Sequence, residues 1–266
     1  MRKGILNYLV IAVFAISAAF TSCEKKNNDD KNNNGNNTGN PDSLDNPNTG
    51  NSNIVSRLIC YNVFEGGKVT IDYTYDNQNR PSKINFNGNS WMSFSYPSTD
   101  KIQIGENGTT LTFTLNNDGY VIKTDVDYDG SLYEYLNGYL QKEIIEGKYG
   151  SSTHFTWGNS NLLSVICEDW EGKIDTTTYS YGTLPNKESN IAPWSPPTFE
   201  DFGLFLVLPS NWFGKTSKNL VSSMNYNDSW GESYRYETNS NGYVTKVYTT
   251  SIKSGTESLK FEIQYK

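Results

Sequence analysis

The sequence predicts an all-β protein: an antiparallel up-and-down meander of about 14–16 strands, barrel-like or strongly curled. Three observations carry this. Runs rich in Tyr, Phe, Trp, Thr, Val and Ile alternate with Asn/Asp/Gly clusters from Ile54 onward. The connections are too short for parallel crossovers, so neighbouring strands must be antiparallel. One short unit also recurs: an aromatic or apolar alternation, a polar turn, then a second apolar alternation.

Copies of the unit start at Tyr73, Phe113, Tyr133, Phe155 and Tyr234, and each reads as one hairpin. Asn87-Gly88 and Asn137-Gly138 supply the positive φ angles that two-residue hairpins need. Alternation assigns the faces. Ile71, Tyr73 and Tyr75 share one side against Asp72 and Thr74, and Leu111, Phe113 and Leu115 oppose Thr110, Thr112 and Thr114. A sheet of so many strands twists and leaves reactive edges, so it should curl or close.

The first residues are read as processing and anchoring signals. Arg2 and Lys3 precede an apolar run, Ile5 to Phe20, that is too short for a mature membrane span. Phe20-Thr21-Ser22-Cys23 resembles the lipobox of bacterial lipoproteins. That resemblance implies a signal peptide over 1–22, cleavage before Cys23 and lipid on Cys23. Two or more acyl chains anchor stably where one does not. Residues 24–53 are Asn, Asp, Gly and Lys with almost no apolar side chain, so they read as a disordered linker. The expected organisation is therefore signal peptide 1–22, lipid-anchored linker 23–53 and one β-meander domain 54–266. Losing Arg2 and Lys3 takes the net charge from −7 to −9. With no basic patch, nucleic acid is excluded as a partner and anionic headgroups are poor ones.

The meander breaks once, at about 182–220. This insert is expected to hold a short helix from Thr198 or Phe199 to about Leu208. Thr198 would be its N-cap, with Glu200 and Asp201 in the first turn. Phe202, Leu204, Phe205, Leu206 and Leu208 make that helix apolar nearly all round, so it is expected to pack on the concave face of the sheet.

The stretch Trp212-Phe-Gly-Lys-Thr-Ser-Lys-Asn-Leu-Val-Ser-Ser223 follows the insert and precedes the last hairpins. With the lipobox and the YD-like strand-turn units it resembles the domain-of-unknown-function family 4595. The resemblance covers 54–266 and implies an envelope lipoprotein of Gram-negative gut bacteria with a porin-like fold. It supplies no catalytic or ligand residue.

Few residues suggest chemistry. Asp125-Val-Asp127-Tyr-Asp129-Gly130 matches the first half of a calcium loop, but Leu136 stands at the twelfth position where Glu is needed. A hairpin turn at Asp129-Gly130 is the preferred reading. Glu168, Asp169 and Glu171 surround another turn at Gly172. His154, the sole His, lies opposite in face to the aromatic row, and no nucleophile elbow accompanies it. No cofactor is indicated. Cys60 and Cys167 sit on expected strands, and two buried thiols are preferred over a disulfide. Aromatics make up 14% of the chain, and their i, i+2 spacing places most of them in the core. Trp194, Trp212 and Phe213 lie in the insert and are candidates for stacking on a ligand or for plug contacts.

The function class expected is a non-catalytic binding or structural lipoprotein of the outer membrane, on its periplasmic or surface side, contacting glycan or an envelope protein. The alternatives are a polysaccharide hydrolase working with acidic residues in a groove, and a membrane-spanning β-barrel. The last needs strands of about 9–11 residues with an apolar outer belt.

Overall fold

The computed structural model describes residues 54–64, 67–106, 108–125, 130–147, 150–187, 189–192, 207–227 and 230–266. The expected signal peptide, Cys23 and linker lie outside them. So does the expected helix, apart from Val207 and Leu208.

Sixteen strands follow one another in chain order. They are β1 Val55–Phe64, β2 Gly67–Tyr75, β3 Pro81–Phe86, β4 Asn89–Ser98, β5 Lys101–Glu106, β6 Thr109–Leu115, β7 Val121–Asp125 and β8 Ser131–Leu136. The second half holds β9 Tyr139–Ile145, β10 Ser151–Gly158, β11 Asn161–Glu168, β12 Ile174–Pro185, β13 Asn219–Tyr226, β14 Trp230–Thr238, β15 Val244–Ser251 and β16 Glu257–Tyr265. Each pairs antiparallel with its sequence neighbours, and β1 pairs with β16, so the meander closes into a barrel. Closure removes the free edges that a sheet of this length would expose.

Alternation works as the sequence indicates. Leu58, Ile71, Ile84, Met92, Ile104, Phe113, Leu162 and Phe261 are all essentially inaccessible and fill the interior. A round sixteen-strand barrel leaves an aqueous channel. Here inward-facing large side chains and part of the insert occupy that space. The insert's described residues Ile191, Ala192, Val207, Leu208, Trp212 and Phe213 are all buried. The helical element among the described residues is one 3-10 turn, Ser210–Phe213.

An up-and-down barrel has two distinguishable ends. The connections β2–β3, β4–β5 and onward to β14–β15 gather at one end, and the insert, which joins β12 to β13, is there too. So is the start of the barrel: Lys266 N donates to Ile54 O, and Val55 N donates to Asn190 Oδ1 of the insert. All five recurring units of the sequence form turns at this plugged end. The connections β1–β2, β3–β4 and onward lie at the other.

Candidate functional site

Toward the plugged end each even strand carries an inward pair two residues apart: Tyr73/Tyr75, Phe94/Tyr96, Phe113/Leu115, Tyr133/Tyr135, Phe155/Trp157, Tyr179/Tyr181, Tyr234/Tyr236 and Ile263/Tyr265. In six of the eight, the polar tip of the second ring donates to a carbonyl at the start of the preceding strand. Tyr75 OH reaches Val55 O at 2.6 Å, Tyr96 OH reaches Pro81 O at 2.8 Å and Tyr135 OH reaches Val121 O at 2.7 Å. Trp157 Nε1 reaches Leu140 O at 2.7 Å, Tyr181 OH reaches Leu162 O at 2.6 Å and Tyr265 OH reaches Val244 O at 2.7 Å. A ring placed this way is buried along its body and satisfied at its tip. Burial pushes the phenols of Tyr75, Tyr96, Tyr135 and Tyr265 above their ordinary values. The two departures are Leu115, which has no polar tip, and Tyr236, whose buried hydroxyl finds no hydrogen-bond partner among the described residues.

The turns after these pairs are also built alike. Asp76 Oδ1 accepts from the backbone N–H of Gln78 and Arg80, Asn116 Oδ1 from Asp118 and Tyr120, and Asn239 Oδ1 from Asn241 and Tyr243. The residue three past the Asx takes positive φ: Asn79 58°, Gly119 81° and Gly242 82°. Burial raises the Asp76 pKa, but the bonds from Arg80 and Gln78 outweigh it and hold the carboxyl below its ordinary value. Asp169 builds the same turn at the opposite end, accepting from Glu171 and Lys173 N–H. The acidic cluster Glu168, Asp169 and Glu171 is thus organised as a turn.

The insert crosses this end and seats its 3-10 turn among the rings. Trp212 meets Phe94 and Phe113 edge-on, with centroids 6.0 and 6.1 Å apart, and Phe213 meets Tyr133 at 5.7 Å. The chain then returns over the turns it has passed. Lys215 N donates to Gly138 O and Lys218 N to Ser160 O. Gly214 (φ 89°) lies so close to Gly138 that a Cβ would stand 2.6 Å from its carbonyl oxygen. Ser217 Oγ accepts from Leu162 N–H and shares a hydrogen bond with Tyr181 OH, and Asn219 pairs with Asn161. The Trp-Phe-Gly-Lys-Thr-Ser-Lys-Asn stretch singled out in the sequence is therefore the latch of the plug.

Between the β2–β3 turn, the β4–β5 turn and the 3-10 turn lies a recess of about 250 Å³. Tyr96, Ile102, Leu115, Pro81, Pro209 and Trp212 form its apolar floor, and Asn79, Arg80, Ser98, Thr99, Lys101, Asn190 and Asn211 its polar rim. The Arg80 guanidinium lies over the Tyr96 ring at 4.0 Å and is tied to Asp76 Oδ2 through Nε and Nη2, both at 2.8 Å.

The sequence candidates are placed as follows. Trp212 touches the recess yet is only 8% exposed, and Phe213 is 2% exposed, so both act as plug contacts. Trp194, Asp127 and Asp129 lie outside the described residues. Asp125 is exposed at the end of β7 and pairs with Lys123 at 2.9 Å. Among the described residues no group of three His, Cys, Asp or Glu side chains could hold a metal ion. His154 is exposed on β10, and Cys60 and Cys167 are both free thiols, on β1 and β11. Burial raises both thiol pKa values. Sequence reading missed the recess, because Arg80, Lys101 and Asn190 come together only through closure and the plug.

The outer wall is mostly Thr, Ser, Lys, Arg, Asp and Glu; the apolar Leu132 and Ile144 face each other across β8 and β9, and Ile166 stands between His154 and Thr176. Arg57 pairs with Asp72, Lys246 with Glu237, and Arg235 with Glu257 through two nitrogens while stacking on Tyr248. The large exposed apolar residues Leu136, Leu163, Trp170, Leu184, Trp230 and Ile252 sit at strand ends and turns, not in a belt. Inside, at the unplugged half, carboxylates are matched: Glu232 with Lys260 and Tyr234 OH, Asp175 with Asn227 and Lys173. Glu106 accepts from Trp91 Nε1 at 2.7 Å, and burial nevertheless leaves its pKa raised.

The fold matches solved barrels. A porin-like protein from Bacteroides uniformis ATCC 8492 superposes with TM-score 0.60 at 16% identity, covering 80% of this chain and 98% of that one. A porin-like protein from Bacteroides vulgatus ATCC 8482 gives 0.58 at 14%, covering 80% and 98%. No protein-family model matches the chain, and no curated protein matches it in sequence. The porin-like fold that the family resemblance implies is present.

Proposed function

We propose that this is a non-catalytic binding module of the bacterial envelope, tethered by lipid at Cys23 and standing in water beside the outer membrane. The observation that carries this is the direction of the barrel wall: apolar side chains point inward and an ion-paired polar surface points outward. A membrane-spanning barrel needs the reverse, an outer apolar band on strands of about 9–11 residues. Several strands here have five or six residues, among them β3, β5, β7 and β8. The lipobox-like Phe20-Thr-Ser-Cys23 supports the tether, and the described chain begins at the plugged end, so the tether would leave from there. The plug and the recess would then stand on the side of the body nearest the anchor.

Two measurements test this reading. A chain beginning at Asn53 is expected to stay monodisperse without detergent, and the full chain to take up labelled fatty acid that Cys23→Ala abolishes. Detergent-dependent solubility of the truncated chain would return the protein to the membrane-spanning class. Undiminished labelling of the Cys23→Ala chain would remove the tether.

A further inference from the structure

We infer that the recess at the plugged end binds a single carboxylated sugar ring, free or at the end of an acidic polysaccharide. This deepens the binding-module reading and rests on it. Size comes first: about 250 Å³ is just below the roughly 300–1,000 Å³ of drug-sized pockets, so it suits one ring and not a chain of them. Charge comes second. Of the thirteen residues that line the recess two are charged, Arg80 and Lys101; both are cations, in a chain of net charge −7.

Those cations retain capacity. Arg80 spends Nε and Nη2 on Asp76, while its Nη1 and the Lys101 ammonium make no hydrogen bond among the described residues, although the charge of Lys101 is felt by Asp100. The bonds to Asp76 and the Tyr96 face beneath hold the guanidinium in one orientation, which favours planar recognition of a carboxylate. The side-chain amides of Asn79 and Asn211 are likewise unengaged among the described residues and can exchange hydrogen bonds with hydroxyls. Asn190 is excluded from that role because its amide already joins Val55 to Tyr75.

The floor separates ligand classes. The half-buried Tyr96 and Leu115 offer an apolar edge that the C–H side of a sugar ring can cover and that inorganic phosphate cannot use. A neutral sugar can give Arg80 Nη1 and the Lys101 ammonium only hydroxyl acceptors, whereas a carboxylate gives both a charge-assisted partner.

The test is calorimetric titration of the non-lipidated chain from Glu24 with glucuronate, a uronate oligosaccharide, glucose and inorganic phosphate. Saturable binding of glucuronate or of the oligosaccharide is expected, with glucose and phosphate each at least about tenfold weaker. Added salt should weaken it. Lys101→Gln removes an exposed charge without touching the core and should cost about tenfold in affinity. Arg80→Lys keeps the charge and should lose affinity through loss of the planar fork. Absence of uronate binding, equal binding of glucose or phosphate, or an unchanged affinity in Lys101→Gln overturns the proposal. A glycan screen that finds neutral ligands insensitive to Lys101→Gln overturns it while leaving the binding-module reading intact.

Discussion

Single residues at the plugged end repeat one solution, and the repetition makes their roles testable. Asp76, Asn116 and Asn239 each hold two backbone N–H groups that a tight turn would otherwise leave unpaired. Asn239→Ala should therefore cost about 1–2 kcal/mol of stability, read from the denaturation midpoint. Asp76→Asn should be much milder, because Asn already serves at the two equivalent turns. Glu106 behaves differently. Its pKa is raised in the folded protein, mainly by burial, so the folded state holds a proton that the unfolded state has already released. That linkage makes stability fall as pH rises from the ordinary glutamate range through the raised folded value. Glu106→Gln keeps an acceptor for Trp91 and should flatten this fall, raising the melting temperature at neutral pH above that of the parent. An identical pH profile in the variant would remove burial of Glu106 as the cause.

At the scale of elements, the insert is the part that most needs tertiary support. Its described portion has only one 3-10 turn of regular structure, and it is held by ring contacts and by hydrogen bonds to turns that precede it. Gly214 is its most constrained point, since both its positive φ and the nearby Gly138 carbonyl exclude a side chain. Gly214→Ala should loosen the crossing over Gly138 and Ser160. The expected signature is faster amide exchange at Lys215 and Lys218, with exchange in β2 to β6 preserved. Uniform acceleration through the barrel would mean that plug and wall unfold as one unit. The bulges are a second feature of this scale. Opposite Tyr75, Leu115, Tyr135, Trp157 and Tyr181 the following strand carries one extra residue, namely Ser82, Ile122, Gln141, Leu163 and Ser222. An extra residue there bends and twists the strand, which suits the rim of a barrel.

The whole molecule is stabilised by closure. β1 and β16 are the most distant strands in sequence, and their pairing makes the barrel continuous. Deleting Glu257–Tyr265 would expose the edges of β1 and β15, each with a full row of unpaired backbone groups. The truncated chain is expected to self-associate, seen as a concentration-dependent sedimentation coefficient, whereas the intact chain should not.

Local pattern was enough to determine that the chain is a one-sided antiparallel meander, because a period of two sorts Tyr73, Phe113 and Phe155 to one face whatever lies across from them. It also located the turns, since Asn-Gly and Asx-x-x-Gly segments encode positive φ within a few residues. The break at 182–220 was legible for the same reason: alternation simply stops there. Tertiary structure alone decided three things. It decided closure, which depends on summed twist and on pairing between the two ends of the domain. It decided that the recurrent units all meet at the plugged end and that Ser217 and Asn219 latch the insert there. It also decided the recess, because Arg80, Lys101 and Trp212 belong to separate turns that no sequence window contains together. Short-range sterics and alternation are written in neighbouring residues, whereas a site assembled across a barrel mouth exists only once the chain has closed around it.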